Sequence, residues 1–430
     1  MYNLIKKILQ TSGANIYSML LGIITLSITA RWLGAEGRGI VASVTTWVNL
    51  FVDIAGLSLG TAVIYQATHK TGKNWLGTTL GNMIFLVIVM TLVSWLIITL
   101  IYIAGNYWGL PNLLNNIPLF ALVLGFLILP VWFWEEYNRS LLNIEDHLHL
   151  FNRYEIIGSS SNAIAQLILV VGSGLGVAGV LISKFIWQST IAFGGLKFLV
   201  KQAGSTIRVD FPEMRKLVID GLKLHLNTIG VIMMMSMDVI MVTAYLGVEA
   251  TGYYQLASQL VQMMLIVSYA AATVLQGEVT RRGIYGVWNY QKKILLMATA
   301  LVLVGIVVAG WSAKWWLILL AGEEFYPAIE LFQYLSIMVV AVTFTNILSV
   351  QWIARGLLWQ MSAITIVKGI MNIGLNALLI PKYGLLGAVY STLGVVFFGM
   401  IINIIMFIYF EYDTRRHFKN LASNDSHPHA

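Results

Sequence analysis

Four ionisable residues stand inside long apolar stretches of the sequence: Asp53, Lys184, Asp238 and Lys368. A charged side chain at the centre of a membrane helix costs roughly 2.5–3.5 kcal/mol on an insertion scale, so lipid-facing positions are not expected for them. These side chains should point into a cavity or at each other. The purely structural alternative is that Asp53–Lys368 and Lys184–Asp238 are buried ion pairs that hold helices together.

Polar side chains accompany these charges at helical spacing. Asn49 lies four residues before Asp53, and Gln188 lies four residues after Lys184, so each pair shares one face of a helix. The clearest polar stripe lies on a single predicted helix, at Thr365, Lys368, Asn372 and Asn376. Stripes of this kind in both halves of the chain predict a wet cleft between two lobes.

The elements that must position these residues are membrane helices. The chain has 430 residues, of which 58% are hydrophobic and 10% charged, and its apolar runs repeatedly reach the length that crosses a bilayer. The runs are continuous rather than alternating, so we predict helices and not a barrel. Twelve spans are predicted, near residues 8–30, 40–65, 80–104, 117–137, 154–173, 177–199, 221–246, 252–276, 293–311, 328–350, 357–380 and 385–410.

The chain contains an internal duplication. The segment TARWLGAEGRG at residues 29–39 is echoed by AYLGVEATG at residues 244–252, with an offset of 213. The pair Asn162 and Gln166 is echoed by Asn372 and Asn376, with an offset of 210. Six spans per copy make the repeats parallel. We predict an N-terminal lobe at residues 1–205, a C-terminal lobe at 206–414 and a polar cytoplasmic tail at 415–430.

Lysine and arginine alternate between the predicted loops. With a cytoplasmic N-terminus, 20 of the 26 basic residues fall on the cytoplasmic side and 4 on the opposite side. This bias predicts a multi-pass membrane protein with both termini in the cytoplasm. The net charge of +7 is therefore interpreted as topology-setting charge rather than as a nucleic-acid surface, and membrane lipids are the expected surroundings.

Several local predictions complete the sequence interpretation. Residues 312–327 are expected to be an interfacial stretch, or else part of a longer ninth helix. The tail is expected to be disordered, and its three histidines are a weak metal signal. Glu135 and Glu136, beside two tryptophans, are expected to mark the cytoplasmic edge of the membrane. No loop can hold a catalytic domain, and no phosphate-binding GxxxxGK[ST] loop is present, so we predict no enzyme activity and no metal site.

Three segments resemble one transporter family. ARWLGAEGRG followed by GLSLGTAVIY is similar to the opening of the polysaccharide-transporter flippases of the Wzx type. LAGEEFYPAIELFQYLS resembles the segment before their tenth helix, and KYGLLGAVYSTLG resembles the entry to their last helix. The family belongs to the multidrug/oligosaccharidyl-lipid/polysaccharide exporter (MOP) superfamily, which also holds the multidrug and toxin extruders (MATE) and the lipid II flippases.

The resemblance implies a V-shaped, MATE-like pair of six-helix bundles with alternating access to a central cavity. The implied cargo is an undecaprenyl-pyrophosphate-linked repeat unit of O-antigen or a related polysaccharide, moved from the cytoplasmic to the periplasmic leaflet of the bacterial inner membrane. Because fixed cations suit a diphosphate, the candidates for that group are Lys184, Lys368 and Arg31. The amides expected to contact sugar hydroxyls are those of Asn49, Gln188, Asn372 and Asn376.

The coupling ion is the other expected partner. Asp53 and Asp238 are candidates for binding a proton or a sodium ion, and no organic cofactor is expected. The polymerase and the chain-length regulator of the same pathway are possible protein partners. The alternatives are a MATE-type exporter of cationic drugs, a lipid II flippase and, in a different class, a membrane-embedded O-antigen polymerase.

Overall fold

Helices form nearly the whole of the chain that the computed structural model describes, which is residues 2–67, 75–108, 113–114, 116–204 and 207–425. Within these residues a π-helical turn at Leu167–Gly172 and a 3₁₀ turn at Glu323–Phe325 accompany the α-helices. The α-helices are α1 (Tyr2–Ala55), α2 (Leu59–Ala67), α3 (Trp75–Tyr107), α4 (Leu119–Ile144), α5 (Leu148–Gln166), α6 (Gly176–Phe193), α7 (Leu196–Ala203), α8 (Phe211–Met264), α9 (Ile266–Gly286), α10 (Trp288–Ala321), α11 (Pro327–Ser336), α12 (Met338–Ala354), α13 (Leu358–Tyr383) and α14 (Leu385–Asp425).

The described residues contain ten helical stretches that are long and apolar enough to cross a membrane. Two of them, Tyr17–Ala67 and Thr228–Gly286, have 51 and 59 residues. At 1.5 Å per residue these stretches are more than twice as long as the roughly 30 Å thickness of the hydrocarbon core. Each therefore supplies two crossings, which gives the twelve spans predicted from the sequence. The chain is a polytopic all-α membrane protein.

A glycine breaks each of the two longest helices. Gly34 interrupts α1 with φ 66° and ψ −171°, and Gly247 interrupts α8 with φ 84° and ψ −179°. Positive φ values of this kind are open to glycine at little steric cost. The two breaks are 213 residues apart, so the sequence repeat places the same turn at the same position of both copies.

The second pair of residues repeated in the sequence also has the same local structure in both copies. Gln166 donates to Asn162 over 3.2 Å, and Asn376 donates to Asn372 over 3.2 Å. All four side chains are buried. The helices α5 and α13 that carry them begin at residues 148 and 358, which keeps the offset of 210. The two copies therefore share local conformation as well as sequence.

Residue contacts divide the chain into two compact units. The first contains Met1–Tyr253 and Leu319–Phe325, and the second contains Tyr254–Ile318 and Tyr326–Ala430. The core of the first unit includes the fully buried Val44, Leu80 and Leu129. The core of the second includes Leu275 and Ile347. The lobe boundary at residue 205 was predicted from the sequence repeat, whereas the two units are defined by residue contacts. The predicted boundary therefore stays a prediction.

Within the first unit, α1 and α8 cross at two glycines. A side chain at Gly39 would collide with the carbonyl of Val248, and one at Gly252 would collide with the carbonyl of Ala35. Each glycine thus lies against the backbone that follows the break in the other helix. Small residues that let backbones approach closely are typical of membrane-helix interfaces. The two copies of the repeated segment form this crossing together.

Buried hydroxyl groups join the same two helices beside the glycines. Ser43 of α1 and Thr243 of α8 lie 2.8 Å apart between their hydroxyl oxygens, and a hydrogen bond of 2.9 Å continues from Thr243 to Thr251. Ser43 also donates to the Gly39 carbonyl over 2.8 Å. All three hydroxyl side chains are almost fully buried. Hydrogen bonds between helices therefore supplement the close glycine packing.

Two helices are longer than the sequence interpretation expected. α10 runs without interruption to Ala321, so residues 312–321 extend the ninth span, which was the alternative to an interfacial stretch. The expectation of a disordered tail was wrong as far as Asp425, because α14 continues to that residue. His417 stacks on Tyr285 with ring centroids 3.9 Å apart, which helps to explain the helical order. His427 and His429 lie outside the described residues.

The break at Gly34 is covered by an acidic side chain. Glu324 accepts a hydrogen bond of 2.6 Å from the backbone N–H of Ala35, the first residue of the second half of α1. Both of its carboxylate oxygens would lie within 2.8 Å of a side chain at Gly34. A carboxylate at this place satisfies a free N–H and interacts favourably with the helix dipole. Glu324 therefore acts as an N-terminal cap.

We expect Glu324→Ala to lower the stability of the folded protein by about 1 kcal/mol, which is typical for loss of a helix cap. Glu324→Gln retains an acceptor oxygen and should lose less. Thermal unfolding of the purified protein in nanodiscs measures the difference. The matched control is Glu323→Ala, because Glu323 is also exposed and forms no hydrogen bond with a described residue. Equal losses at both positions would contradict the capping role.

Candidate substrate cavity

A cavity of ≈380 Å³ lies within the first unit, between α4, α5 and α6. Each of the three helices contributes polar side chains that are three or four residues apart and so share one face. They are Glu135 and Arg139 from α4, Asn152 and Glu155 from α5, and Lys184 and Gln188 from α6. The aromatic side chains of Trp132, Phe151 and Trp187 complete the wall. The cavity therefore combines both signs of charge, amides and flat apolar surfaces.

A glycine on the neighbouring helix determines the position of Trp187 in the cavity wall. A side-chain carbon at Gly158 of α5 would lie 2.8 Å from Cδ1 of Trp187 and 3.2 Å from its carbonyl oxygen. Contacts that short are not tolerated, so α6 approaches α5 this closely only because residue 158 has no side chain. The local sequence of α5 thus sets the place of the indole ring.

Aromatic rings hold both cations of the cavity. The Lys184 ammonium lies 6.0 Å from the centroid of the Trp187 ring, and the Arg139 guanidinium lies 5.2 Å from that of Phe151. Within the described residues neither cation forms a salt bridge. Cation–π contacts stabilise a positive charge without neutralising it. Both groups remain available to an anion.

A third cation of the first unit, Arg38 of α1, does not line the cavity. Its side chain is buried and donates to the hydroxyl of Thr29 over 2.8 Å and to the carbonyl of Leu26 over 3.3 Å. Arg38 lies four residues after the break at Gly34, near the turn between the two crossings of the stretch Tyr17–Ala67.

The structure separates the residues predicted for substrate binding. Lys184 and Gln188 line the cavity together. Asn49 is half-buried on α1, one turn before Asp53, and does not belong to the cavity wall. Arg31 is exposed and donates to the carbonyls of Leu319 and Leu320, so its guanidinium is engaged by backbone oxygen atoms.

The three candidates of the second unit lie on α13. Asn372 and Asn376 are buried and bonded to one another, and Ser391 of α14 donates to the Asn372 carbonyl over 3.2 Å. Their amides therefore take part in helix packing. Lys368 is half-buried, and its amine would lie 3.1 Å from a side chain at Gly399 of α14. Among the described residues no carboxylate pairs with Lys368.

The two aspartates predicted for ion coupling differ in their surroundings. Asp53 lines a second cavity of ≈230 Å³, together with the carboxylate of Glu136 and the hydroxyls of Ser58, Ser140 and Thr228. Asp238 is buried on α8, with 6% of its surface exposed, and is not part of either cavity. The pairing of Lys184 with Asp238 that the sequence left open does not occur, since Lys184 forms no salt bridge with a described residue.

Four residues of the cavity wall were not among the candidates from the sequence: Glu135, Arg139, Glu155 and Trp187. Helix α4 continues to Ile144 and places Glu135 and Glu136 beside the two cavities, while their expected position at the cytoplasmic edge of the membrane stays a prediction. A signal was present, because Glu135 and Arg139 have the four-residue spacing of a shared helix face. Without the length of α4, that spacing could not be assigned to the interior.

Comparison with known families and structures agrees with this architecture. The family described as "Polysaccharide biosynthesis protein" matches residues 4–276, which is more than half of the chain. No curated protein matches the chain.

Three solved structures share the fold at low sequence identity. A lipid II flippase, MurJ, in an inward closed conformation is 14% identical with a TM-score of 0.73, over 97% of this chain and 93% of that one. An inward-facing MATE transporter of the MOP superfamily is 14% identical with a TM-score of 0.68, over 91% of this chain and 96% of that one. A MOP superfamily transporter from Pyrococcus furiosus, described as having a binding pocket of reverse polarity, is 17% identical with a TM-score of 0.62, over 95% of both chains.

Proposed function

The chain belongs to the polysaccharide biosynthesis protein family, and we propose that it is a flippase that moves a lipid-linked oligosaccharide across the membrane. The family and its structural neighbours are transporters and flippases rather than enzymes. The fold is that of MOP superfamily transporters.

One observation carries this proposal. The cavity of the first unit presents Lys184 and Arg139 without a salt bridge among the described residues, beside amides and tryptophans. A lipid-linked glycan offers the matching chemistry, since its diphosphate attracts fixed cations and its hydroxyls hydrogen-bond to amides and carboxylates. The Lys184 side chain is partly buried, so water screens its interaction with such a group less than at an exposed site.

The proposal also specifies the cargo, the direction of transport, the coupling ion and the protein partners. The cargo is an undecaprenyl-pyrophosphate-linked repeat unit of O-antigen or a related surface polysaccharide. It moves from the cytoplasmic to the periplasmic leaflet of the bacterial inner membrane, in a protein whose termini are both cytoplasmic. Asp53 and Asp238 couple the cycle to protons or sodium ions. The polymerase and the chain-length regulator of the pathway are the proposed protein partners.

The runner-up is an exporter of organic cations, and one observation favours it. Glu135 and Glu155 bring as many carboxylates to the cavity as there are cations. Carboxylates beside aromatic rings are a suitable environment for a cationic ligand. Lipid-linked cargo remains the better match because its diphosphate pairs with Lys184 and Arg139 while its hydroxyls donate to the carboxylates, whereas an organic cation brings no anion for the two cations.

Complementation separates the two functions. We expect the chain to restore surface polysaccharide in a bacterium that lacks its own O-unit flippase and makes the cognate repeat unit. The same cells, loaded with ethidium, should retain the dye as strongly as cells with empty vector. Loss of ethidium without restored polysaccharide, with the protein present in the membrane fraction, would contradict the proposal and support the cation exporter.

A further inference from the structure

The beginning of α8 is a surface helix that exposes apolar side chains. The candidate membrane stretch to which this helix contributes begins at Thr228, whereas α8 itself begins at Phe211. Three side chains, which we call the apolar stripe, are exposed here: Phe211, Ile219 and Leu222. Their spacing of eight and three residues places them on one face of the helix. An exposed apolar face just outside a membrane stretch is typical of a helix that lies in the lipid headgroup region.

Packing on another face fixes the rotation of this segment. Leu217 is almost fully buried, and a side chain at Gly221 would lie 2.6 Å from the carbonyl oxygen of Leu57, in the turn between α1 and α2. The amide of Gln66 on α2 donates to the Asp220 carboxylate over 2.9 Å. Because these contacts hold α8 against α2 and the preceding turn, the apolar stripe faces away from them.

A groove of ≈490 Å³ lies beside the apolar stripe, between α2 and α8. Its polar side chains are Gln66, Glu213, Lys216, Asp220 and Lys223. Ile219 of the stripe also lines it, and Tyr65 of α2 adds an exposed aromatic ring of the kind that is enriched at the boundary between lipid and water. α2 ends at Ala67, where the membrane stretch Tyr17–Ala67 also ends, so the groove lies at the edge of the membrane.

The charges of this segment leave a positive excess. From residue 211 to residue 223, α8 carries three cations and two carboxylates. Arg215 and Lys216 are exposed and form no salt bridge with a described residue. Lys223 lies 3.5 Å from Asp220, but its side chain is 71% exposed, and exposed pairs of this kind contribute little to stability. The lysines of the groove are therefore available to an anion from outside the protein.

We propose that this groove binds an anionic phospholipid of the surrounding membrane. Lys216 and Lys223 lie seven residues apart on one face of α8 and contact the headgroup phosphate from both sides, while the acyl chains lie against the apolar stripe. A headgroup with one net negative charge balances the excess positive charge of the segment, whereas a zwitterionic headgroup does not. The groove shares no residue with the cavity assigned to the cargo, so the site goes beyond the proposed function.

Quenching by brominated lipids tests this proposal. The chain contains no cysteine, so Leu222→Cys carries a single bimane fluorophore on the apolar stripe. The full chain is placed in nanodiscs of phosphatidylcholine that contain a small share of brominated phosphatidylglycerol or an equal share of brominated phosphatidylcholine. The anionic lipid should quench at least about threefold more strongly, because it is enriched at the groove. These nanodiscs contain no lipid-linked glycan, so the cargo cannot occupy the site.

Two double variants identify the residues responsible. Lys216→Gln with Lys223→Gln should make the two brominated lipids quench equally at residue 222. The matched control is Arg416→Gln with Lys419→Gln, which removes the same charge from exposed positions of α14. That control should keep the preference for the anionic lipid, because general attraction to the protein would be lost to the same extent in both double variants.

A second reporter shows that every variant is inserted. A fluorophore at Val304→Cys, an exposed position within the membrane stretch Trp288–Ala321, should be quenched equally by both lipids. With this reference quenched, the proposal is overturned if both lipids quench residue 222 equally in the unaltered groove, if neither quenches it, or if the lysine variant keeps the preference. Transport does not enter this measurement, so failure of the proposed function is detected separately by complementation.

Discussion

Replacing Ser43 and Thr243 with cysteine should give a protein whose transport stops on oxidation and returns on reduction. The two hydroxyl oxygens are 2.8 Å apart, close to the roughly 2.05 Å of a sulfur–sulfur bond. The chain contains no cysteine, so no other disulfide can form. This is the largest effect that we expect from any change in the protein.

The physical reason is the crossing of α1 and α8. Gly39 and Gly252 hold the two helices in backbone contact, and hydroxyl groups bond them beside it. The proposed flippase cycle requires helices of the two repeats to separate on one side of the membrane. A covalent link at this crossing would keep that side closed, so turnover should fall below about a tenth of the reduced protein's rate.

A second pair of cysteines provides the control. Ser18 of α1 and Ser159 of α5 are 3.2 Å apart between hydroxyl oxygens, but both belong to the first repeat. Oxidation of Ser18→Cys with Ser159→Cys should therefore leave transport largely intact. Proteoliposome flipping, with the extent of cross-linking measured by mass spectrometry, compares the two pairs. Full cross-linking of the first pair with undiminished flipping would show that the crossing stays closed throughout the cycle.

Removing the charge of Lys184 should reduce flipping more than about tenfold, because losing one member of a desolvated charged contact costs about 2–5 kcal/mol. Lys184→Gln has a side chain of similar reach that can still hydrogen-bond, so a change in packing is minimised. Lys184→Arg should retain part of the activity, although a planar guanidinium does not reproduce the point charge of an ammonium.

The same substitution at Lys368 tests whether the second unit also contributes a cation to transport. It is a second intramembrane lysine without a carboxylate partner among the described residues, and such residues mark transport pathways in membrane proteins. Lys368→Gln is therefore also expected to reduce flipping, whereas Lys314→Gln should not, because Lys314 lies against the ring of Tyr326, outside the cavity. A selective loss at Lys184 would confine the anion site to the first unit. Normal flipping by Lys184→Gln, with the protein present at normal level, would contradict its assignment to the substrate cavity.

Most of the fold followed from hydropathy, because a backbone in lipid must satisfy its own hydrogen bonds and long apolar runs therefore become helices. The repeat could also be predicted from the sequence. The glycines at residues 34 and 247 occupy equivalent positions of the two copies, and both adopt a positive φ. The ends of the helices could not be predicted from the sequence. α14 continues beyond its apolar segment, where His417 stacks on Tyr285, and a contact of that kind has no periodic signal in the sequence.

The site was predictable only where a charge interrupted an apolar run. Lys184 and Gln188 were found for that reason, whereas Glu135 stood at the end of a span and looked like a surface residue. The stripe of Asn372 and Asn376 shows a different limit of the sequence. Asn376 donates to Asn372 one turn away, a hydrogen bond within the stripe that the spacing alone did not predict, and the assignment of these amides to sugar hydroxyls stays a prediction.

The glycine crossing has a consequence for how the two halves of this sequence can diverge. Gly39 of the first copy and Gly252 of the second each depend on the bare backbone of the other copy. A duplicated segment is normally free to drift, because one copy can change while the other preserves the original role. Here a larger residue at either glycine would displace the backbone of the other copy. Neither copy can therefore replace its glycine without a compensating change in the other.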